Sequence, residues 1–159
     1  MGMDVYGKNP KQNKPMKEFP ILAKYKKMEA EDEKNGFQRK WKELDADHDL
    51  REQYWKEQND YEEVNAGYYF RNNCWWWRPL WNYCRTIAPD LINDELFDSG
   101  QHNDGAGLDD KGAKLLGNRL LQQIREGKTK NFNKSYPFDL DNVREFAEFC
   151  LQSGGFEIC

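Results

Sequence analysis

The sequence has no run close to the roughly 20 consecutive apolar residues that a helix crossing a bilayer needs. The opening MGMDVYGKNP has no apolar segment of the signal-peptide kind. The expectation is therefore a soluble protein of the cytoplasm with no membrane partner. Cysteine and histidine are scarce. Cys74, Cys84, Cys150 and Cys159 include no CxxC pair, whereas zinc-binding cysteines normally lie about two to four residues apart, so free thiols are expected and no metal site is assigned. A long stretch of one charge sign is also missing. Lys and Arg number 24 against 28 Asp and Glu, mixed along the chain, which leaves no basic stripe to neutralise a phosphate backbone and excludes duplex nucleic acid as the main partner. There is no internal repeat and no P-loop, and GAG at 105–107 is too short for a nucleotide fingerprint.

Aromatic residues, by contrast, are plentiful, at 14% of a chain in which 33% of residues are charged. A core poor in aliphatics must draw on those rings. Residues 11–66 are rich in Lys, Glu, Gln and Asp, with large apolar residues only at intervals. Phe37, Trp41 and Leu44 recur at helical spacing, as do Leu50, Tyr54 and Tyr61. The pattern predicts a helix over about 17–34, a break at Gly36, and one or two helices over about 37–64, together an inserted charged arm. Such an arm is either a solvated appendage or a lid or oligomer contact.

The main body comprises residues 1–10 and 67–159. Asn73 is placed to cap a helix over about 74–88, with Pro79 near its first turns. Trp76, Leu80, Tyr83 and Ile87 form one face of that helix and Trp77, Trp81 and Cys84 the adjoining one, so it should lie at the centre of the fold. A short helical stretch, LINDELF, and the turn-rich DSGQHNDGAG follow. Asp109 caps a helix bearing Ala113, Leu116, Leu120, Leu121 and Ile124 and ending at Gly127. After the linker KTKNFNKSYP, Asp139 or Asp141 caps a last helix, which Gly154 and Gly155 stop. Extended segments are expected only near Tyr68 and Phe156. The predicted class is mainly α with minor β: a small compact helical domain carrying an inserted charged helical arm.

Two stretches carry chemistry. In RNNCWWWRPLW, arginines Arg71 and Arg78 and the amide of Asn73 interleave with Trp75 and Trp76, and stacked rings with planar donors suit bases and phosphates. The same residues also serve as core, so the block divides between packing and recognition. His102, Asn103 and Asp104 project from a glycine-flanked turn, where they either approach a ligand or bond their own backbone. No nucleophile accompanies them, and no catalytic residue and no cofactor are assigned. The candidate ligand-binding set is Arg71, Asn73, Trp75, Trp76, Arg78, His102, Asn103 and Asp104.

With the stretches MDVYGKNP, YYFRNNCWWWRPLWNYC, GQHNDGAGL and YPFDLDNVREFAEFCLQSGGFEIC, the chain resembles a family of small uncharacterised proteins encoded by phages and prophages. Those pieces cover nearly everything outside residues 11–66. The resemblance implies a setting, the cytoplasm of an infected host cell, and no activity. Many members pass almost directly from YGKNP to the YFRNN block, which marks the charged segment as an insertion. Many also carry a zinc-knuckle-like CxxC segment before YPF that this chain lacks, so no zinc role transfers. The leading expectation is a non-catalytic binder of a small nucleotide-like ligand, sequestering a host immune signal, with a second copy of itself as a further partner. The alternative is a protein–protein interaction module that inhibits a host or phage protein, and an outsider is a hydrolase acting on a nucleotide-like substrate.

Overall fold

Alternation organises the first strand: in β1 (Gly2–Gly7) Met3 and Val5 are buried while Asp4 and Tyr6 point the other way. β2 (Tyr69–Asn73) continues it, with Phe70 buried beside Val5, and Asp4 opposite Arg71 and Tyr6 opposite Tyr69 on the outer face. The computed structural model describes residues 2–129 and 137–159, so most of the linker KTKNFNKSYP lies outside the described residues. Two further strands, β3 (Ala106–Asp109) and β4 (Gly155–Ile158), complete an antiparallel sheet of order β2-β1-β4-β3. The expectation of extended chain only near Tyr68 and Phe156 is corrected here, since Gly2–Gly7 and Ala106–Asp109 are strands as well. Both are short, and the partners that make them strands, β2 and β4 for the first and β4 for the second, lie far away in the chain. Gly107 shows how tight that pairing is, because a Cβ there would come 1.7 Å from the Phe156 carbonyl oxygen.

Helices supply 62% of the described residues and strands 13%, so the fold is mainly α with a minor sheet. α4 (Cys74–Ile87) opens with the Asn73 side chain accepting from the amides of Trp75 and Trp76. Pro79 sits in the second turn, and its missing N–H removes the usual i+4 donor for the Trp75 carbonyl. α4 buries Trp77, Pro79, Leu80, Trp81, Tyr83 and Cys84. α5 (Asp94–Ser99) follows, and α6 (Asp110–Arg125) and α7 (Leu140–Gln152) are capped by Asp109 and Asp139. Gly117 of α6 lies against the Ala147 carbonyl of α7, where an added Cβ would come within 2.8 Å, so the two helices pack closely. Val143, Phe146, Ala147, Phe149 and Cys150 of α7 join Leu116 and Leu120 of α6 in the core.

At the centre, Trp77 and Trp81 stack with centroids 5.4 Å apart and planes 15° from parallel. Phe146 meets Trp77 edge-on at 5.5 Å, and Phe156 of β4 meets Trp81 at 6.5 Å. Each indole N–H is satisfied: Trp77 donates to the Gly100 carbonyl at 2.7 Å and Trp81 to the Phe97 carbonyl at 3.1 Å.

The chain divides into two compact units, one of Met1–Lys11 with Ala66–Cys159 and one of Gln12–Asn65. The second contains α1 (Pro20–Asn35), α2 (Arg39–Ala46) and α3 (His48–Val64). Gly36, at φ 73°, ends α1, and Asp47 caps α3 by accepting from the Leu50 amide. Phe19, Leu22, Tyr25, Leu44, Tyr54 and Tyr61 are its buried apolar residues. The expected stripe of Phe37, Trp41 and Leu44 does not hold as a buried face, because α2 begins at Arg39 and only Leu44 is buried. Buried Asn65 clasps the two ends of this unit, accepting from the amides of Asn13 and Lys14 and donating to the carbonyls of Lys14 and Tyr61. In the other unit the Gly7 amide reaches the Tyr68 carbonyl at 3.1 Å, so the strands flanking the insertion already form a closed hairpin.

Two outcomes are expected. Trp81→Ala removes a fully buried ring and orphans the Phe97 carbonyl, and should lower unfolding free energy by about 3–5 kcal/mol in denaturant titrations; a loss under about 1 kcal/mol would show that the stack is not the core. Replacing residues 12–65 with a short Gly/Ser bridge should leave a soluble body with one cooperative melt by circular dichroism, and an aggregated product would refute the independence of the body.

Candidate functional site

The tryptophan block splits by helix geometry. Trp77 and Trp81 turn inward, Trp76 is half-buried, and Trp75 stays 60% exposed at the start of α4. Arg78 follows one turn after Trp75 on the same outward face. Its guanidinium is exposed and has no ion pair or hydrogen bond among the described residues. Arg71 lies elsewhere, on the outer face of the sheet, where its Nε is 3.4 Å from Asp4 Oδ1. The Tyr69 hydroxyl also donates to that Asp4 carboxylate, and burial together with this bond pushes the phenol well above its ordinary range. Tyr6 packs on Tyr69 at 5.1 Å and completes the polar-aromatic outer face.

The glycine turn does approach the start of α4, and Gly2 is the link. The Asn103 amide donates to the Gly2 carbonyl at 3.0 Å, and Gly2 pairs with Asn73 in the sheet register. Much of the polar chemistry expected of these residues is engaged locally. Asn73 Oδ1 caps α4, Asp104 Oδ1 accepts from the Ala106 amide, and His102 Nδ1 lies 3.1 Å from the Asp98 carbonyl. Among the described residues, Arg78, the Asn73 amide nitrogen and the Asn103 side-chain oxygen have no hydrogen-bond or ion-pair partner, and the Trp75 ring is largely exposed. Arg71, held by Asp4, and Trp76, held in another cleft, do not join them.

That other cleft, of about 290 Å³, is lined by Trp76 and Asn72 with Asp139, Asp141, Asn142 and Glu145 from the start of α7. Asn72 and Asn142 exchange reciprocal amide bonds at 2.9 Å, fixing the floor. Its three carboxylates oppose phosphate, so Trp76 is separated from Arg78 in chemistry as well as in place. The α7 residues went unassigned in the sequence because FDLDN reads as a helix cap, which Asp139 indeed is. His48, Asp49 and Glu52 bring potential ligand atoms within 4.8 Å of one another on α3, all fully at the surface, as ordinary solvated charges are.

Reactive thiols are confined to the periphery. Burial pushes the Cys84 thiol far up, and Cys150 is raised by burial with Cys84 adding to it, so neither presents a thiolate at neutral pH. Cys159 is exposed and Cys74 partly so. In the native protein a disulfide reagent should therefore modify Cys159 rapidly and Cys74 more slowly, leaving Cys84 and Cys150 for denaturant; fast modification of all four would contradict the burial. Comparison with protein-family models, with curated proteins and with solved structures finds no match to this chain.

Proposed function

We propose that the chain is a non-catalytic binding module that docks on another protein through the outer face of α4, with Trp75 as the apolar anchor and Arg78 as its charged neighbour. One observation carries the reading: a tryptophan beside two fully buried ones is 60% exposed, next to an arginine with no partner among the described residues. Trp and Arg dominate the energetics of protein contacts, because a wide ring and a planar fork gain most when a partner desolvates them. An outward ring is open to a broad surface, whereas a small ligand is held by walls that bury about 70–90% of it. The complementary partner offers an apolar pocket flanked by a carboxylate. On the phage resemblance, that partner is a host or phage protein met in the host cytoplasm, and the chain is its inhibitor.

A second reading keeps the nucleotide-like ligand, stacked on Trp75 with a phosphate on Arg78 and its edges on the open ends of Asn73 and Asn103. The free guanidinium beside a ring favours it.

The doubly substituted Trp75→Ala, Arg78→Ala protein distinguishes them. Both positions are exposed, so its stability should stay within about 0.5 kcal/mol of the parent. Affinity capture from host extract should retain specific proteins on the parent and lose them on the variant. A thermal-shift screen in which nucleotides stabilise the parent and not the variant would replace the docking reading with the ligand reading. Equal capture by both proteins and no nucleotide response would remove α4 from consideration.

A further inference from the structure

We propose that the unit of Gln12–Asn65 is an acid-released latch, a set of helices held to one another through carboxylates that lets go on protonation while the body stays folded. Its apolar core is thin: Phe19, Leu22, Tyr25, Leu44, Tyr54 and Tyr61 are the buried apolar residues that three helices share. Polar joints between the helices add to it, and they are built on carboxylates. Neither α1 nor α2 takes a side-chain cap from the residue before it, Phe19 or Gln38. Each is capped from another helix instead. Glu57 of α3 accepts from the Leu22 amide in the first turn of α1 at 2.7 Å. Asp32 of α1, only 5% exposed, accepts from the Lys40 amide in the first turn of α2 at 3.2 Å and from Arg39 Nε at 2.7 Å.

Two further joints tie α1 to α2. Glu29 lies 3.1 Å from the ammonium of Lys40, which is buried 4.7 Å from the Trp41 centroid and 5.0 Å from that of Tyr54 on α3. Glu43 accepts from the Tyr25 hydroxyl at 3.0 Å, with the Lys24 ammonium 3.7 Å away. The charges that face Asp32 and Glu29 are those of Arg39, Lys40 and Lys26, with Glu31 sharing Arg39 and Glu33 bordering the same recess. Burial would raise both carboxyls, but bonds from Arg39 and the Lys40 amide hold Asp32 below its usual range, and Lys40 and Lys26 do the same for Glu29. A carboxyl lowered in this way stabilises the fold above its unfolded pKa of about 4, and stops doing so as pH falls through the lower folded value. Protonation also leaves the buried Lys40 ammonium without its counter-charge, which a thin core tolerates badly. The centre of the body answers differently, since Trp77 and Trp81 stack on each other and donate to backbone carbonyls, groups that do not titrate.

The test uses the full chain and hydrogen exchange read peptide by peptide by mass spectrometry, corrected for the intrinsic exchange rate at each pH. Between neutral pH and about pH 3.5, α1 and α2 should come to exchange roughly ten-fold faster or more, while α4 and α7 keep their protection. Asp32→Asn preserves the shape of the side chain and removes its titration. Exchange of α1 and α2 should then be faster at neutral pH and respond less to acid than in the parent. Should that variant leave both helices unprotected at neutral pH, Glu57→Gln, which keeps an oxygen for the Leu22 amide, gives the reading through the same weakened response. Three results overturn the proposal: both units losing protection together, α1 and α2 staying protected in acid, or a folded variant with the full pH response of the parent.

Discussion

The stack of Trp77 on Trp81 is the interaction on which the body depends. It joins three parts of the chain: α4, which provides the rings, the segment 97–100, whose carbonyls receive both indole protons, and β4, whose Phe156 closes the far side. An indole buried without an acceptor would forfeit part of what its area gains, so the two carbonyls are as necessary as the packing. Gly100 belongs to the same constraint, since a Cβ there would come 2.3 Å from the Trp81 indole nitrogen. The glycine turn owes its position to the core, and the exposed residues after it inherit that position.

Once two tryptophans are committed inward, helix periodicity leaves Trp75 and Arg78 outside. The groups left exposed at the start of α4 are those that the core, the caps and the strand pairs have not used. Asn73 and Asp104 were drawn into local structure, as short polar side chains near helix starts and turns usually are, and Arg71 into a pair with Asp4 on the neighbouring strand.

Most of the helical scheme was legible in the sequence. The caps Asn73, Asp109 and Asp139, the inward faces of α6 and α7, and the glycine stops depend on neighbours within a few residues, which a single sequence displays. The sheet was legible only in part, because β1 becomes a strand by pairing with β2 and β4, and β3 by pairing with β4, all far away in the chain. Phe37, Trp41 and Leu44 misled for a related reason: their spacing assumes one continuous helix, while the chain is still turning at Phe37 and the stripe falls apart. Of the candidate residues, type and exposure could be anticipated, but which polar atoms were already bonded could not, since Asn103 to Gly2 and Arg71 to Asp4 are contacts of tertiary structure.

The placing of β4 between β1 and β3 has a kinetic side. The first strand of the body is held by the last, so its sheet closes only after β4 has been made, and loops of such length close slowly. The helical unit of Gln12–Asn65 is one continuous stretch of chain, so it can fold before β4 has left the ribosome. During synthesis β1 waits with one partner, β2, on the near side of an already folded insertion. Its bare edge in that interval is the moment when this chain is most open to mispairing with another, and the charged helices beside it in sequence help to keep the nascent chain in solution.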